Sequence, residues 1–232
     1  MSTFVLLHGA WHGGWCWSRV ALLLREAGHA VFAPTFTGVS DRAHLLSPAV
    51  GLGTHVEDVV RLIDAEGLTD VVLVAHSYAG MVASGVAEQR PGSLRARVHL
   101  DAFVPSDGEA AIDLLPDTVA HHYRESVAGH GFGWLIPPRS LEVLGVTEQA
   151  DLDWLSSRLT PQPWATYADP VRLTGAADAI PATFVECVDW MRVFRSQAGR
   201  ARERGWTALE LPSGHEAMVT APAALAELLQ QV

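Results

Sequence analysis

The stretch that decides the fold is VVLVAHSYAGMV, residues 71–82. Its first five residues are apolar without polar alternation, which is typical of a strand covered on both faces of a sheet. Ser77 follows almost directly, and small and apolar residues continue through Met81 as expected of a buried helix. A lone hydroxyl at such a junction either ends the strand or acts as a nucleophile, and the other segments of the chain must distinguish the two.

The rest of the chain alternates strands with helices. Short apolar segments predict six strands, and helical spacing of apolar residues fills most of the intervals between them. This alternation predicts an α/β fold with a doubly wound, mostly parallel sheet. The predicted strands are residues 4–7, 30–33, 71–75, 97–100, 183–187 and 208–211.

One interval breaks the alternation. Residues 106–179 hold several prolines, three of the eight tryptophans and short helical segments. We expect residues 1–105 and 180–232 to form the core, with 106–179 as a helical cap inserted after the fourth strand. Trp134 in this cap and Trp11 beside the first strand are candidates for lining an apolar substrate pocket. The cap tryptophans could equally fasten the cap to the sheet.

The composition narrows the classes of function. The chain has 232 residues, a formal net charge of −10 and no lysine. The negative charge argues against a nucleic-acid partner, and the absence of lysine excludes a Walker-type phosphate loop and a Schiff-base lysine. The only cysteines, Cys16 and Cys187, form no C-x-x-C pair. No zinc site of that kind is expected, and we predict neither a metal nor a cofactor.

The sequence also bears on location. No apolar run is long enough to span a bilayer, and the N-terminal residues lack the basic start of a secretion signal. With only two cysteines, a cytoplasmic protein with free thiols is expected. The oligomeric state is not readable from these patterns, so a homodimer stays an open alternative.

Partners for Ser77 change its interpretation. A serine hydroxyl needs an imidazole to accept its proton and a carboxylate to orient that imidazole. In a strand–serine–helix arrangement the partners follow in the order serine, acid, histidine, each after a later strand. His215 is the only one of the eleven histidines that follows the sixth predicted strand. We therefore predict that Ser77 is a nucleophile and His215 its general base, rather than a loop-capping imidazole.

Two carboxylates compete to be the acid. Asp189 follows the fifth predicted strand, which is where this order places the acid; a helix N-cap or a surface carboxylate is its alternative interpretation. Asp101 ends the fourth strand in HLDAF, where it could be the acid or could brace the loop into the cap. We rank Asp189 first and Asp101 second.

The loop HGAWHGG, residues 8–14, follows the first strand. Its glycines leave backbone N–H groups free where acyl transfer would develop negative charge on a carbonyl oxygen. The N–H groups of Ala10 and of Tyr78, directly after the nucleophile, are the natural donors. A nucleotide-binding turn is the alternative, but the G-x-G-x-x-G spacing is missing and Trp11 would crowd a pyrophosphate.

Together these segments resemble the α/β-hydrolase superfamily, in the branch that holds plant methylesterases, hydroxynitrile lyases and related bacterial esterases. The resemblance implies the α/β-hydrolase fold, a triad of Ser77, Asp189 and His215, and oxyanion donors at Ala10 and Tyr78. The segments that carry it are FVLLHGAWHGGWCW at 4–17, VVLVAHSYAGMV at 71–82, LPSGHEAM at 211–218 and VHLDAFVP at 98–105.

The resemblance also implies an activity, which is hydrolysis of a small or medium apolar carboxylic ester, such as a methyl ester or a lactone, through an acyl-enzyme. The lyases of this branch carry a threonine after the first-strand histidine and a lysine after the catalytic histidine. This chain has Gly9 and Glu216 there. A glutamate would repel a cyanide leaving group, so lyase activity is disfavoured. A natural-product tailoring enzyme or a non-catalytic small-molecule receptor would also be compatible with this fold.

Overall fold

The computed structural model describes residues 1–232 and contains eight strands. The strands are numbered along the chain. Six of them form one parallel sheet in the order β2-β1-β3-β4-β7-β8, and the two short strands β5 and β6 pair antiparallel. This confirms the six-stranded α/β sheet expected from the sequence. The strands are β1 Thr3–Leu7, β2 Ala30–Phe32, β3 Val71–His76, β4 Leu94–Leu100, β5 Leu135–Ile136, β6 Gln162–Pro163, β7 Ala182–Cys187 and β8 Thr207–Leu211.

Nine α-helices surround the strands. None of them combines the length and the apolar composition that crossing a bilayer requires. They are α1 Ser18–Glu26, α2 Leu52–Ala65, α3 Ala79–Gln89, α4 Asp117–His130, α5 Gln149–Ser156, α6 Ala165–Ala168, α7 Arg195–Glu203, α8 Ala217–Thr220 and α9 Pro222–Leu229.

The strand order determines where a ligand crevice forms. The crossover from β1 to β2 runs opposite to all later crossovers, so right-handed connections place α1 on one face and α2, α3 and α7 on the other. Helix α9 packs on α1, and α3 packs on α2. The direction changes between β1 and β3, and ligands bind outside the carboxyl ends of strands at such a point. The loop after β1 and the turn after β3 both start there.

The centre of the sheet is packed tightly on both faces. All six residues of β3 are buried, which explains the absence of polar alternation in its sequence. Helix α3 approaches the loop after β4 so closely that a Cβ at Gly80 would collide with the carbonyl oxygen of Phe103. Glycine is therefore required at this position, one residue after the small residue Ala79 that the sequence motif supplies.

Between β4 and β7 the chain forms α4, α5, α6 and the β5–β6 pair. Trp11 joins this segment to the core, because its indole N–H donates to the carbonyl oxygen of Ile136 at 3.1 Å and its backbone N–H to Oε1 of Gln162 at 3.3 Å. Trp154 packs edge-on against Trp15 at 5.0 Å between ring centroids. Trp154 therefore fastens the segment between β4 and β7 to the rest of the molecule.

Candidate active site

Ser77 lies in the turn between β3 and α3. Its φ of 54° is in the left-handed region, which costs a non-glycine residue roughly 1–3 kcal/mol. Two backbone hydrogen bonds hold this conformation: its N–H donates to the carbonyl oxygen of Leu100, and its own carbonyl oxygen accepts from the N–H of Phe103. The strained strand-to-helix turn that the sequence motif predicts is therefore present and is braced by the end of β4.

Asp101, and not Asp189, contacts the imidazole. Nδ1 of His215 donates to Oδ2 of Asp101 at 2.7 Å, and both residues are buried. Asp189 is exposed, and its backbone N–H donates to the carbonyl oxygen of Ser213. The chain after β7 thus continues to pair with the chain after β8, and this path carries Asp189 to the surface. The structure corrects the order in which the sequence ranked the two acids.

The surroundings of Asp101 suit an acid that orients a base. Burial raises the pKa of its carboxyl, and the hydrogen bond from His215 opposes that rise. The backbone N–H of Cys187 donates to its second oxygen at 3.4 Å. A buried carboxylate held from both sides fixes the imidazole so that Nε2 faces away from it, and stabilises the imidazolium that forms on proton transfer.

The loop after β1 presents an oriented amide. Nε2 of His8 accepts a hydrogen bond from the backbone N–H of Phe36 at 3.1 Å, so Nδ1 must carry the proton that it donates to the carbonyl oxygen of Gly9 at 2.8 Å. Burial lowers the pKa of His8 to about 3 and keeps the ring neutral. The Gly9 carbonyl shares a rigid peptide group with the N–H of Ala10, so this bond orients that amide. The amides of Ala10 and Tyr78 have no backbone acceptor.

Two further buried titratable residues, His76 and Glu216, lie close to His215 and were not expected from the sequence. His76 hydrogen-bonds through Nε2 to the carbonyl oxygen of His215 at 3.0 Å, and burial lowers its pKa well below the ordinary value. Glu216 is buried with Oε2 3.4 Å from Nε2 of His12. Donor atoms of His76, His215 and Glu216 lie within 4.8 Å of one another. Nδ1 of His215 is hydrogen-bonded to Asp101, and Oε2 of Glu216 faces His12.

Ser77 and His215 line the same cavity. Twelve of its fifteen lining residues are hydrophobic, and its volume is about 30 Å³, roughly twice what a single water needs. Trp11 is among the lining residues, as expected, but Trp134 is not. The carbonyl oxygen of Trp134 accepts from the N–H of Trp164, so its backbone is held within the segment between β4 and β7. The expectation that Trp134 lines the pocket is wrong.

The chain is similar to a known protein family and to several of its members. The model of the alpha/beta hydrolase family matches residues 4–228. A carbendazim hydrolyzing esterase from Nocardioides sp. (strain SG-4G) is 41% identical over 243 residues, covering 99% of this chain and 98% of the relative. Methyl jasmonate esterase 1 from Vitis vinifera is 33% identical over 103 residues, covering 44% of this chain and 40% of the relative.

Two solved structures share the fold over nearly the whole chain. An extracellular alpha/beta-hydrolase from a Paenibacillus species has a TM-score of 0.90 at 23% identity, covering 100% of this chain and 98% of that one. The methylesterase MES16 from Arabidopsis has a TM-score of 0.80 at 20% identity, with coverage of 100% and 98%. At these identities the likeness shows the fold alone.

Proposed function

The chain belongs to the alpha/beta hydrolase family and is a carboxylic ester hydrolase, and we propose that Ser77 is its nucleophile, His215 its general base and Asp101 its acid. One observation carries the assignment. The imidazole that lines the cavity beside Ser77 is held by a 2.7 Å hydrogen bond to a buried carboxylate. The esterase that is 41% identical over nearly its full length supports the reaction class.

In the proposed reaction, Oγ of Ser77 attacks the ester carbonyl carbon while Nε2 of His215 accepts the hydroxyl proton. The carbonyl oxygen becomes an oxyanion, which the N–H groups of Ala10 and Tyr78 stabilise. Collapse of this intermediate breaks the bond to the alcohol, which leaves with the proton from His215. Water then attacks the acyl-enzyme with His215 as base, which releases the acid and regenerates Ser77.

The cavity favours apolar groups beside the scissile bond, because twelve of its fifteen lining residues are hydrophobic. A polar group next to the ester would lose its hydration against this lining without gaining partners, except where it reached Arg139. We propose a methyl ester or a similarly small ester as the substrate class, with lactones as a second form of the same chemistry. Because the closed cavity is so small, its walls must move apart for substrate to enter.

The lyase alternative finds no support in the geometry. A Cβ at Gly9 would lie 2.8 Å from Nδ1 of His76 and 3.1 Å from Cβ of Ser77, so there is no room for the threonine that the lyases carry. Glu216 occupies the position of their lysine, but its carboxylate faces His12 in the interior and does not line the cavity. This chain therefore offers no cation to a leaving cyanide.

A fluorophosphonate probe tests the assignment of the nucleophile. We expect it to label the folded protein at Ser77 and to leave the Ser77→Ala variant unlabelled, with ester turnover lost in parallel. Labelling at another residue would refute the assignment. Tight binding of a small ester without turnover over many hours would favour the receptor alternative over the enzyme.

Three further expectations from the sequence stay predictions. Residues 106–179 as a separately bounded cap can be tested by limited proteolysis at its two junctions. The cytoplasmic location can be tested by cell fractionation. The homodimer alternative can be tested by the mass of the protein in solution.

A further inference from the structure

Arg139 is the only arginine or acidic residue that lines the cavity, and the proposed reaction does not use it. The twelve hydrophobic lining residues leave three others, which are Ser77, His215 and Arg139. Arg139 is half-buried, so its guanidinium keeps some contact with water while the residue lines the cavity. A group that enters the cavity can exchange that water for hydrogen bonds to the guanidinium, and the substrate is such a group.

The guanidinium of Arg139 has no acidic partner in the protein. It belongs to none of the ion pairs, so no carboxylate oxygen lies within 4.0 Å of its nitrogens. It lies instead over the ring of Tyr123, with the guanidinium carbon 5.5 Å from the ring centroid. This cation–π contact and the nearby hydroxyl of Tyr123 position the group, and other N–H donors of the five remain for a planar acceptor.

Arg139 also stands where the inner cavity meets the outside. It lines two outer clefts of about 340 and 380 Å³, and Tyr123 and Val143 are shared between the first of these and the inner cavity. A molecule that moves from this cleft towards Ser77 passes the guanidinium. Arg139 is therefore placed to hold the end of a substrate that points away from the nucleophile.

A stack of aromatic rings connects this entrance with the reacting end. Tyr123 stacks on Tyr167 at 5.4 Å between centroids, and Tyr167 stacks on Tyr78 at 5.4 Å. Tyr78 is the residue whose backbone N–H follows the nucleophile. Both Tyr123 and Tyr167 line the cavity, so once its walls have moved apart a flat apolar group can stack along these rings between Ser77 and Arg139.

The carboxylates near Arg139 lie on its outer side. Glu142 and Asp153 line the larger outer cleft with it, and both are exposed. Each is already hydrogen-bonded, Glu142 by the hydroxyl of Ser140 and Asp153 by the side-chain amide of Gln149. No acidic residue lines the inner cavity, so an anionic group reaching outward from Ser77 meets the guanidinium first.

We propose that Arg139 determines specificity by binding a carboxylate at the remote end of the acyl group. The preferred substrate is then a small ester of a planar aromatic acid that carries a second, free carboxylate. Arginine and carboxylate pair through two parallel hydrogen bonds, and the apolar wall strengthens that pairing. This inference rests on the proposed ester hydrolysis and adds the chemical class of the acyl group.

Two esters of the same shape test the proposal. Methyl 4-methylbenzoate and 4-(methoxycarbonyl)benzoate differ only in a methyl group against a carboxylate opposite the ester. We expect the wild type to favour the carboxylate ester at least tenfold in kcat/KM, mainly through KM, which is the size typical of a charged hydrogen bond. Arg139→Leu should abolish the preference, so that the ratio of the two kcat/KM values falls to about one, and Arg139→Lys should retain part of it.

Arg158→Leu is the matched control. Arg158 also stacks on a tryptophan ring, at 5.2 Å from Trp154, but it does not line the cavity, so its loss should leave the preference intact. Equal kcat/KM values for the two esters in the wild type, or a preference that survives in Arg139→Leu, would overturn the proposal. If the proposed function itself were wrong, Ser77 would not react with the fluorophosphonate probe. That result distinguishes its failure from a failure of the Arg139 proposal.

Discussion

The carboxylate of Asp101 lies 2.7 Å from Nδ1 of His215, although 114 positions separate the two residues. They meet because Asp101 follows β4 and His215 follows β8, with only β7 between these strands in the sheet. The backbone N–H of Asp101 donates to the carbonyl oxygen of Val185 at 2.8 Å, so pairing between β4 and β7 continues to this point. The position of the acid therefore depends on sheet pairing that is remote in sequence.

Exchanging each acid for its amide tests this position. We expect Asp101→Asn to lower kcat by about 10³- to 10⁴-fold, because an asparagine favours the wrong tautomer of the imidazole. Asp189→Asn should stay within about twofold of the wild type, because the side chain is exposed and does not contact His215. Steady-state hydrolysis of p-nitrophenyl acetate measures both. A large loss confined to Asp189→Asn would restore the acid to the end of β7.

The strands were predictable from the sequence because local apolar runs determine them. The start of β4 was not predicted, and it shows what a local pattern misses. Strand β4 was predicted from residue 97 but begins at Leu94. Two arginines interrupt its pattern, yet Arg97 is buried with its guanidinium carbon 5.2 Å from the ring of Trp206 and a hydrogen bond to the carbonyl oxygen of Ala177. Contacts from distant residues make this burial tolerable, and a local pattern cannot report them.

Only part of the proposed site was predictable from local patterns. Ser77 and His215 carry local signals, a strand–serine–helix junction and a histidine after the last strand. The acid does not, because both Asp101 and Asp189 follow a strand and only the path of the chain after β7 separates them. The positions of Glu216 beside His12 and of His8 beside Phe36 also depend on tertiary contacts.

Two conservative variants of His8 separate orientation of the amide from simple support of the fold. Asparagine can place its amide where Nδ1 donates to Gly9, whereas glutamine can place its oxygen where Nε2 accepts from Phe36. Each variant loses one buried hydrogen bond, so both should lose about 1–3 kcal/mol of unfolding free energy. We expect kcat to fall roughly tenfold further in His8→Gln than in His8→Asn. Only the glutamine variant loses the hydrogen bond to the Gly9 carbonyl, which holds the peptide group that carries the Ala10 N–H.

Urea unfolding and steady-state kinetics on the same ester measure these two quantities. Equal losses of kcat in His8→Gln and His8→Asn would mean that the imidazole supports the fold and does not orient the oxyanion donor. KM should change little in either variant, since His8 does not line the cavity.

A methyl group at Gly9 should damage the site more than the fold. A Cβ there would lie 2.8 Å from Nδ1 of His76 and 3.1 Å from Cβ of Ser77, so the imidazole must shift and Ser77 must give by a few tenths of an ångström. We expect Gly9→Ala to lower kcat at least tenfold, since small displacements of reacting groups are costly. Gly53→Ala is the control, because its Cβ would meet no atom within 4 Å, and the change should stabilise α2 by up to about 1 kcal/mol. Full activity of Gly9→Ala would show that the turn accommodates side chains freely.

Buried neutral histidines should make the protein sensitive to acid. Burial lowers the pKa of His8 and of His99 to about 3 and that of His55 to about 4, against about 6.5 in the unfolded chain. Between pH 6.5 and pH 4 the unfolded chain binds protons that the folded chain does not. The free energy of unfolding therefore falls as pH falls, by about 1.4 kcal/mol per pH unit for each histidine, or about 4 kcal/mol for the three.

Urea unfolding at pH 7, 6 and 5 measures this slope. The His55→Gln variant removes one of the three groups and should reduce the slope by about 1.4 kcal/mol per pH unit, whatever it does to stability at pH 7. His121→Gln is the control, because His121 is an exposed histidine of α4 and its replacement should leave the slope unchanged. A slope that His55→Gln leaves unchanged would mean that His55 is protonated in the folded protein well above pH 4. Its Nδ1, which faces the hydroxyl of Tyr78 at 3.0 Å, would then have to be a donor instead of an acceptor.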